Sequence, residues 1–181
     1  DSKVLIIGGG TIGSGSLGFF EKCKRESKIF ESIDVYYSEN ITAIADAHYL
    51  PYLDKFFNII IIQAVLEHVI NPQKVVSEIY RVLKKDGLIY SETPFLQNIH
   101  EGPYDFTRFS HSGHRYLFRN FKEIKSGTIG GAFSSVLFIS SYAISGIFRN
   151  NTIGLIIRFI FSRFFKILDN LVNNKWNIDV A

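Results

Sequence analysis

Methionine is absent from the 181 residues, cysteine and tryptophan occur once each, and proline occurs four times. A single thiol, Cys23, makes no internal disulfide, so the chain is not a cystine-stapled scaffold. That count suits a reducing compartment, and Cys23 itself reads as a small core residue. No secretory leader is read at the start, because the first apolar run, Val4 to Ile7, already belongs to a glycine loop. Beginning at Asp1 with no methionine, the sequence is read as a trimmed portion of a longer product. Disorder is excluded by a composition that is 46% hydrophobic and only 20% charged, enough to bury the core of one α/β-sized domain.

Excess charge is also missing from most of the chain. Of 20 basic and 17 acidic side chains, five and two lie in residues 149–181, which leaves the first 148 residues balanced at 15 each. A neutral body with no basic stripe argues against nucleic acid as a partner. All the net positive charge sits in an apolar tail.

What is present is an alternation of strand and helix. VLII (Val4 to Ile7) runs into three glycines, and Leu17 to Cys23 then supplies a short helix with a basic end. KIFESIDVYY reads as a second strand carrying Asp34, Thr42 to Ala45 as a third ending at Asp46, and Asn58 to Ile62 as a fourth. After Asn71-Pro72, QKVVSEIYRVLKK has helical spacing with Asp86-Gly87 as its stop, and LIYSETP follows as a fifth strand. KEIKSGTIGG reads as a sixth, more exposed strand, followed by apolar helices over Ala132 to Phe148 and Ile153 to Val172, with NIDVA as the start of a last strand. This rhythm predicts an α/β fold, a doubly wound and mostly parallel Rossmann-like sheet with an added C-terminal helical segment. A ligand is expected at the C-terminal ends of the strands.

The glycine loop is ambiguous by itself. Gly8-x-Gly10-x-x-Gly13, with Asp34 at 21 positions beyond Gly13, satisfies the dinucleotide pattern. A carboxylate at the end of a second strand accepts from the vicinal hydroxyls of any ribose, so Asp34 does not separate NAD(P) from another nucleoside cofactor. The later strands add order. ADAHYLP, FFNIIIIQAVLEHVINP and EIYRVLKKDGLIYSETP resemble, in sequence and spacing, the class I methyltransferases of the type 11 group, which use S-adenosyl-L-methionine (SAM). The resemblance covers about Lys3 to Ile124, with LEHV opening a helix and RVLKKDGLIY as its most specific pieces.

That resemblance implies a cofactor site in which the backbone of Gly8, Gly9, Gly10 and Gly13 approaches the cofactor closely, with Asp34 on the ribose. It further implies Asp46 as acceptor from the adenine amino group, the Ala47 amide on the ring, and Gln63 and Ala64 beside the methionine. Two departures stand out. The group usually has an acidic residue two positions before the first glycine, where this chain has Ile6, and the loop carries one residue more, Ile12, before Gly13.

From Phe95 to Phe121 the chain becomes rich in aromatic, His and Arg residues, which is loop chemistry suited to an acceptor site or lid. His100 or His111 is read as a general base for a hydroxyl or carboxyl acceptor, with Asp105 and Arg108 as the other candidate catalytic residues and Arg108 orienting an anionic substrate. The competing reading makes Asp105 and Arg108 a structural ion pair. No metal is expected, since His100, His111 and His114 lack an established ligand spacing. His48 and His68 read as hydrogen-bonded walls of the cofactor pocket.

The expected organisation is a core over residues 1–131, containing a substrate segment at 95–121, and a helical tail over 132–181. In the tail, Arg158, Ser162, Lys166, Asp169 and Asn173 form a polar stripe on an otherwise apolar helix, which suits packing on a neighbour, a homodimer face within 132–175, or a peripheral membrane surface. The expected activity is SAM-dependent methyl transfer, as O-methylation, to a small-molecule, glycan or lipid-precursor acceptor in the cytoplasm or at the membrane surface. An NAD(P)-dependent oxidoreductase and a non-catalytic nucleotide-binding or assembly domain are the alternatives.

Overall fold

A computed structural model of the chain describes residues 2–11 and 17–172. Two compact units divide it, residues 1–93 with 103–107 and residues 94–102 with 108–181. Gly13, Asn173 and the NIDVA segment lie outside the described residues.

The first unit is a five-stranded sheet built from β1 (Lys3–Ile7), β2 (Ile29–Asp34), β3 (Ala43–Ile44), β4 (Phe57–Gln63) and β5 (Leu83–Glu92). Every pairing is parallel and the spatial order is β3-β2-β1-β4-β5. Helices α1 (Leu17–Glu26) and α2 (Pro72–Val82) make two of the crossovers. Alternate residues of a strand face opposite sides, yet Val4, Leu5, Ile6 and Ile7 are all buried, so both faces of β1 are covered. On one face Val4, Ile6, Phe20 and Ile61 form a cluster, and Cys23 packs at its edge, half-buried and not within the core. Strand order reverses between β1 and β4, which makes the crevice above their C-terminal ends the place for a ligand.

Helix α2 starts where the sequence says it should. Asn71 accepts from the Lys74 amide at 3.0 Å and Pro72 occupies the first turn, while Val75, Val76, Ile79 and Val82 turn inward. Its end differs from expectation. The helix stops at Val82 and β5 begins at once, so Asp86-Gly87 is not the stop but a bulge within the strand: Phe57 pairs with Leu83, and the next pairing, Ile59, is with Leu88. Asp86 takes φ 62°, and a Cβ on Gly87 would lie 2.8 Å from Leu83 Cδ1, which is why glycine stands there. LEHV forms one 3-10 turn, Leu66–His68, in place of a longer helix.

The second unit contains α3 (His111–Leu117), α4 (Ala132–Phe148) and α5 (Asn151–Leu171). The sixth strand expected at 122–131 does not form. Instead Glu123 turns to a local partner, accepting from Arg115 Nε at 2.7 Å and Nη2 at 2.6 Å and from the Ser126 hydroxyl at 2.6 Å, and no strand edge pairs with the segment. Helices α4 and α5 pack on each other. The expected polar stripe is broken at Asp169, which is buried: its carboxylate accepts from the amides of Gly131, Phe133 and Ser134 at 2.8–3.2 Å and from the Ser134 hydroxyl, capping α4 from a helix 36 residues away.

Candidate functional site

The described part of the glycine loop folds back onto β2. Gly8 and Gly9 both donate to the Ile33 carbonyl, at 2.9 and 3.1 Å, and Gly10 donates to Asp34 Oδ2 at 2.9 Å. Gly8 takes φ 80°, and a Cβ there would stand 2.1 Å from Val65 Cγ2. On Gly9 it would meet Ser32 Oγ at 2.0 Å, and on Gly10 it would meet Asp34 Oδ2 at 2.7 Å. These glycines are therefore demanded by the protein's own close approach as much as by a ligand. Val65 and Ser32 carry no motif signal, and only the coordinates reveal them.

Between the ends of β1 and β4 lies a cavity of about 210 Å³, walled by Ile6, Gly8, Gly9, Phe20, Gln63 and Ala64 among others. Ala64 takes φ 52° while its amide donates to the Glu92 carbonyl at 3.0 Å. A left-handed alanine costs roughly 1–2 kcal/mol, and strain of that kind collects at ligand sites. Ile6 is 9% exposed and forms part of the apolar wall. At the position for which the family resemblance implies an acid, this chain offers hydrocarbon.

Asp34 and Asp46 end the neighbouring strands. Asp34 Oδ1 accepts from the Val35 amide at 2.7 Å, so each of its oxygens already holds one amide and keeps a further lone pair. Asp46 follows β3 with its side chain 54% exposed, and its Oδ1 accepts from the His48 amide at 2.9 Å and meets His48 Nδ1 at 2.6 Å. Burial works against the charge of Asp46, but the two His48 bonds outweigh it and hold the carboxyl below its usual range. His48 Nε2 accepts from the Asn71 amide at 3.2 Å, which fixes the proton on Nδ1. His48 is thus the satisfied wall that the sequence suggested, and it orients Asp46. His68 is similar, its Nδ1 donating to the Tyr104 carbonyl at 2.8 Å. Ala47, next in chain, is buried.

Residues 14–91 match the family described as methyltransferase domain. They are a methyltransferase domain of the type 11 family. A curated relative, the ubiquinone/menaquinone biosynthesis C-methyltransferase of Neisseria meningitidis, is 31% identical over 121 residues, an alignment covering 59% of this chain and 49% of that protein. The chain thus spans about half the length of the curated relatives it matches. Among solved structures, a SAM-dependent methyltransferase from Archaeoglobus fulgidus aligns with TM-score 0.57 at 20% identity, covering 72% of this chain and 66% of that one. The YcgJ protein of Bacillus subtilis aligns with TM-score 0.53 at 20% identity over 66% and 61%. These likenesses support the doubly wound fold expected from the sequence.

The acceptor-side residues are distributed between the two units. Asp105 lies in the sheet unit, in the 103–107 segment that the Glu67 carbonyl holds through the amides of Phe106 at 2.8 Å and Thr107 at 3.2 Å. His100, Arg108 and His111 belong to the other unit. There, Arg108 donates through Nε to the Gln97 carbonyl at 3.0 Å and through Nη2 to the Asn98 carbonyl at 3.1 Å, and His100 Nδ1 approaches the same Asn98 oxygen at 3.1 Å. Both residues pin the 97–98 backbone. His111 opens α3, and its Nε2 is buried with no hydrogen-bond partner among the described residues. Its neighbour His114 packs in a tilted contact against Phe118, and burial, followed by the nearby His111, pushes its pKa down.

Proposed function

We propose that the protein transfers the methyl group of SAM to a hydroxyl acceptor. One observation carries the choice of cofactor. A dinucleotide loop must turn backbone N–H groups toward a pyrophosphate, but here the amides of Gly8, Gly9 and Gly10 are spent on Ile33 and Asp34, and a carboxylate stands against Gly10. A cofactor with no phosphate suits such a loop. The sheet order supports the same reading, because Asp46 after β3, Asp34 after β2, the glycines after β1 and Gln63-Ala64 after β4 follow the order adenine, ribose, methionine.

In this reading Asp46 accepts from the exocyclic amine, Asp34 from the ribose hydroxyls, and the cavity of Ile6, Phe20 and Ala64 shields the methionine part from water. Ile6 supplies no acceptor for the methionine amino group, so that group must rely on backbone carbonyls or water. Bound SAM supplies a sulfonium-activated methyl as electrophile, and the protein's part is to align the nucleophile and remove its proton. Of the two candidate bases we favour His111, whose Nε2 makes no bond among the described residues. Residues 1–131 form the core in this proposal, with 95–121 as the acceptor segment and a small molecule, glycan or lipid precursor as acceptor. A carbon acceptor, as in the name of the Neisseria relative, is the competing outcome.

Calorimetric titration with S-adenosylhomocysteine and NADH tests the cofactor, with binding of the former expected. Tight NADH binding without response to the sulfur ligand would overturn the reading.

A further inference from the structure

Helices α4 and α5 expose far more hydrocarbon than a packed hairpin leaves uncovered. On α5, Ile156, Ile160, Phe164, Ile167 and Leu171 succeed one another at steps of three or four residues, each more than half exposed, and so form one row along the helix. Beside it Phe159 is 85% exposed. Helix α4 contains no charged side chain at all, and its Ile147 is 76% exposed. A continuous apolar surface of this kind marks an interface. No described helix is long and apolar enough to cross a membrane.

Charge identifies the occupant. The hairpin carries four basic residues, Arg149, Arg158, Arg163 and Lys166, and one acid, Asp169. The acid is buried and its oxygens are occupied by the α4 amides. None of the four cations forms an ion pair among the described residues. The Arg158 guanidinium lies 5.1 Å from the ring centres of both Phe138 and Tyr142, with Nε buried and without a hydrogen-bond partner among the described residues. The charge that the hairpin shows to its surroundings is therefore positive only, set among hydrocarbon and uncharged polar groups. A second copy applied to the same face would bring cations toward cations, with no exposed carboxylate of the hairpin to answer them. An anionic lipid surface answers both features, since the apolar row enters the headgroup and acyl boundary while Arg163 and Lys166 meet phosphates.

We propose that the α4–α5 hairpin is a peripheral docking element for anionic phospholipid bilayers, independent of which reaction the sheet unit performs. Flotation of the full chain with vesicles of phosphatidylcholine alone, and of phosphatidylcholine mixed with phosphatidylglycerol, is the test. Binding is expected only to the mixed vesicles and should be released by raised salt. The Arg163→Gln/Lys166→Gln variant should bind them more weakly by roughly 25-fold, at about fivefold per cation, and Ile160→Ser/Ile167→Ser should weaken binding at unchanged charge. Because salt release is read on the unmodified chain, a variant that misfolds does not blunt the test. Equal binding to both vesicles, or salt-insensitive binding, would overturn the proposal. So would a chain that sediments as a stable dimer and floats with neither vesicle, which would assign the face to self-association.

Discussion

Replacing Arg81 with methionine isolates the clamp that holds the loop after Asp46. The guanidinium donates to Glu78 through Nε at 3.1 Å and Nη2 at 2.7 Å, to the carbonyls of Leu50 and Tyr52 at 2.8 Å each, and to Asp54 at 2.8 Å. Glu78 in turn accepts from the Leu50 amide at 3.0 Å, so the loop is tied to α2 through both its N–H and its C=O. Removing the partner of a buried carboxylate costs about 3–5 kcal/mol. Here the Glu78 side chain is 11% exposed, but Lys74 remains 3.5 Å away and Arg81 is itself 32% exposed, so a value of about 2–3 kcal/mol is expected. The pH dependence gives a second reading. Hydrogen bonding to Arg81, opposed by burial and assisted by Leu50, holds the Glu78 carboxyl below its usual range. A depressed carboxylate stabilises the fold above the unfolded pKa, and that contribution disappears as pH falls through the folded one. Urea unfolding of Arg81→Met at neutral pH and again in acid, with hydrogen exchange at the Leu50 amide as the local probe, measures both. A loss under 0.5 kcal/mol at neutral pH, or a gap between variant and parent that stays constant into acid, would refute the clamp.

Other consequences follow from the same geometry. Gly8→Ala places a Cβ against Val65 at a left-handed φ and should lower stability by at least about 1–2 kcal/mol, read by thermal unfolding, with Val65→Ala restoring part of the loss. Asp46→Ala should weaken S-adenosylhomocysteine binding about tenfold by calorimetry, and His48→Ala should produce a smaller loss because it only orients Asp46. Asp169→Asn should destabilise α4 and α5 by roughly 1–3 kcal/mol. Burial opposes the Asp169 charge, but the Ser134, Phe133 and Gly131 donors outweigh it and keep its pKa low, so the deficit should fade in acid, as circular dichroism against pH would report. His111→Gln should lower the rate of methyl transfer at saturating SAM while leaving urea unfolding close to that of the parent, whereas a structural role would change only stability.

Local patterns made the sheet unit legible, because β1 and β4 are short apolar runs, β1, β2 and β5 end at a glycine or an acid, and α2 has its own cap. The errors arose where a neighbour overrides the local signal. Asp86-Gly87 has the composition of a helix stop, yet Leu83 already pairs with Phe57, so the two residues are absorbed as a bulge. Residues 122–131 have strand composition, but Glu123 is taken by Arg115 and Ser126. Asp169 sits at a spacing that reads as a wet stripe, and only its partners 35 to 38 positions earlier in the chain reveal a buried cap. A one-dimensional pattern does not carry contacts of that range.

The candidate site divides along the same line. Asp34 and Asp46 could be found because strand ends are visible, whereas Val65 and Ser32 matter through atoms that meet only in the fold. Ile6 shows what such positions decide. As an acid it would anchor the methionine amino group directly; as isoleucine it joins Val4, Phe20 and Ile61 in the core and forms the apolar wall of the cavity. Ile6→Asp would bury a carboxylate in that wall, costing stability in the cofactor-free protein, and binding of the ammonium group should recover part of the loss. If the reading of the cavity is right, S-adenosylhomocysteine will raise the melting temperature of Ile6→Asp more than that of the parent chain. An equal rise in both would place the amino group elsewhere and leave the cavity beside Ile6 to another part of the ligand.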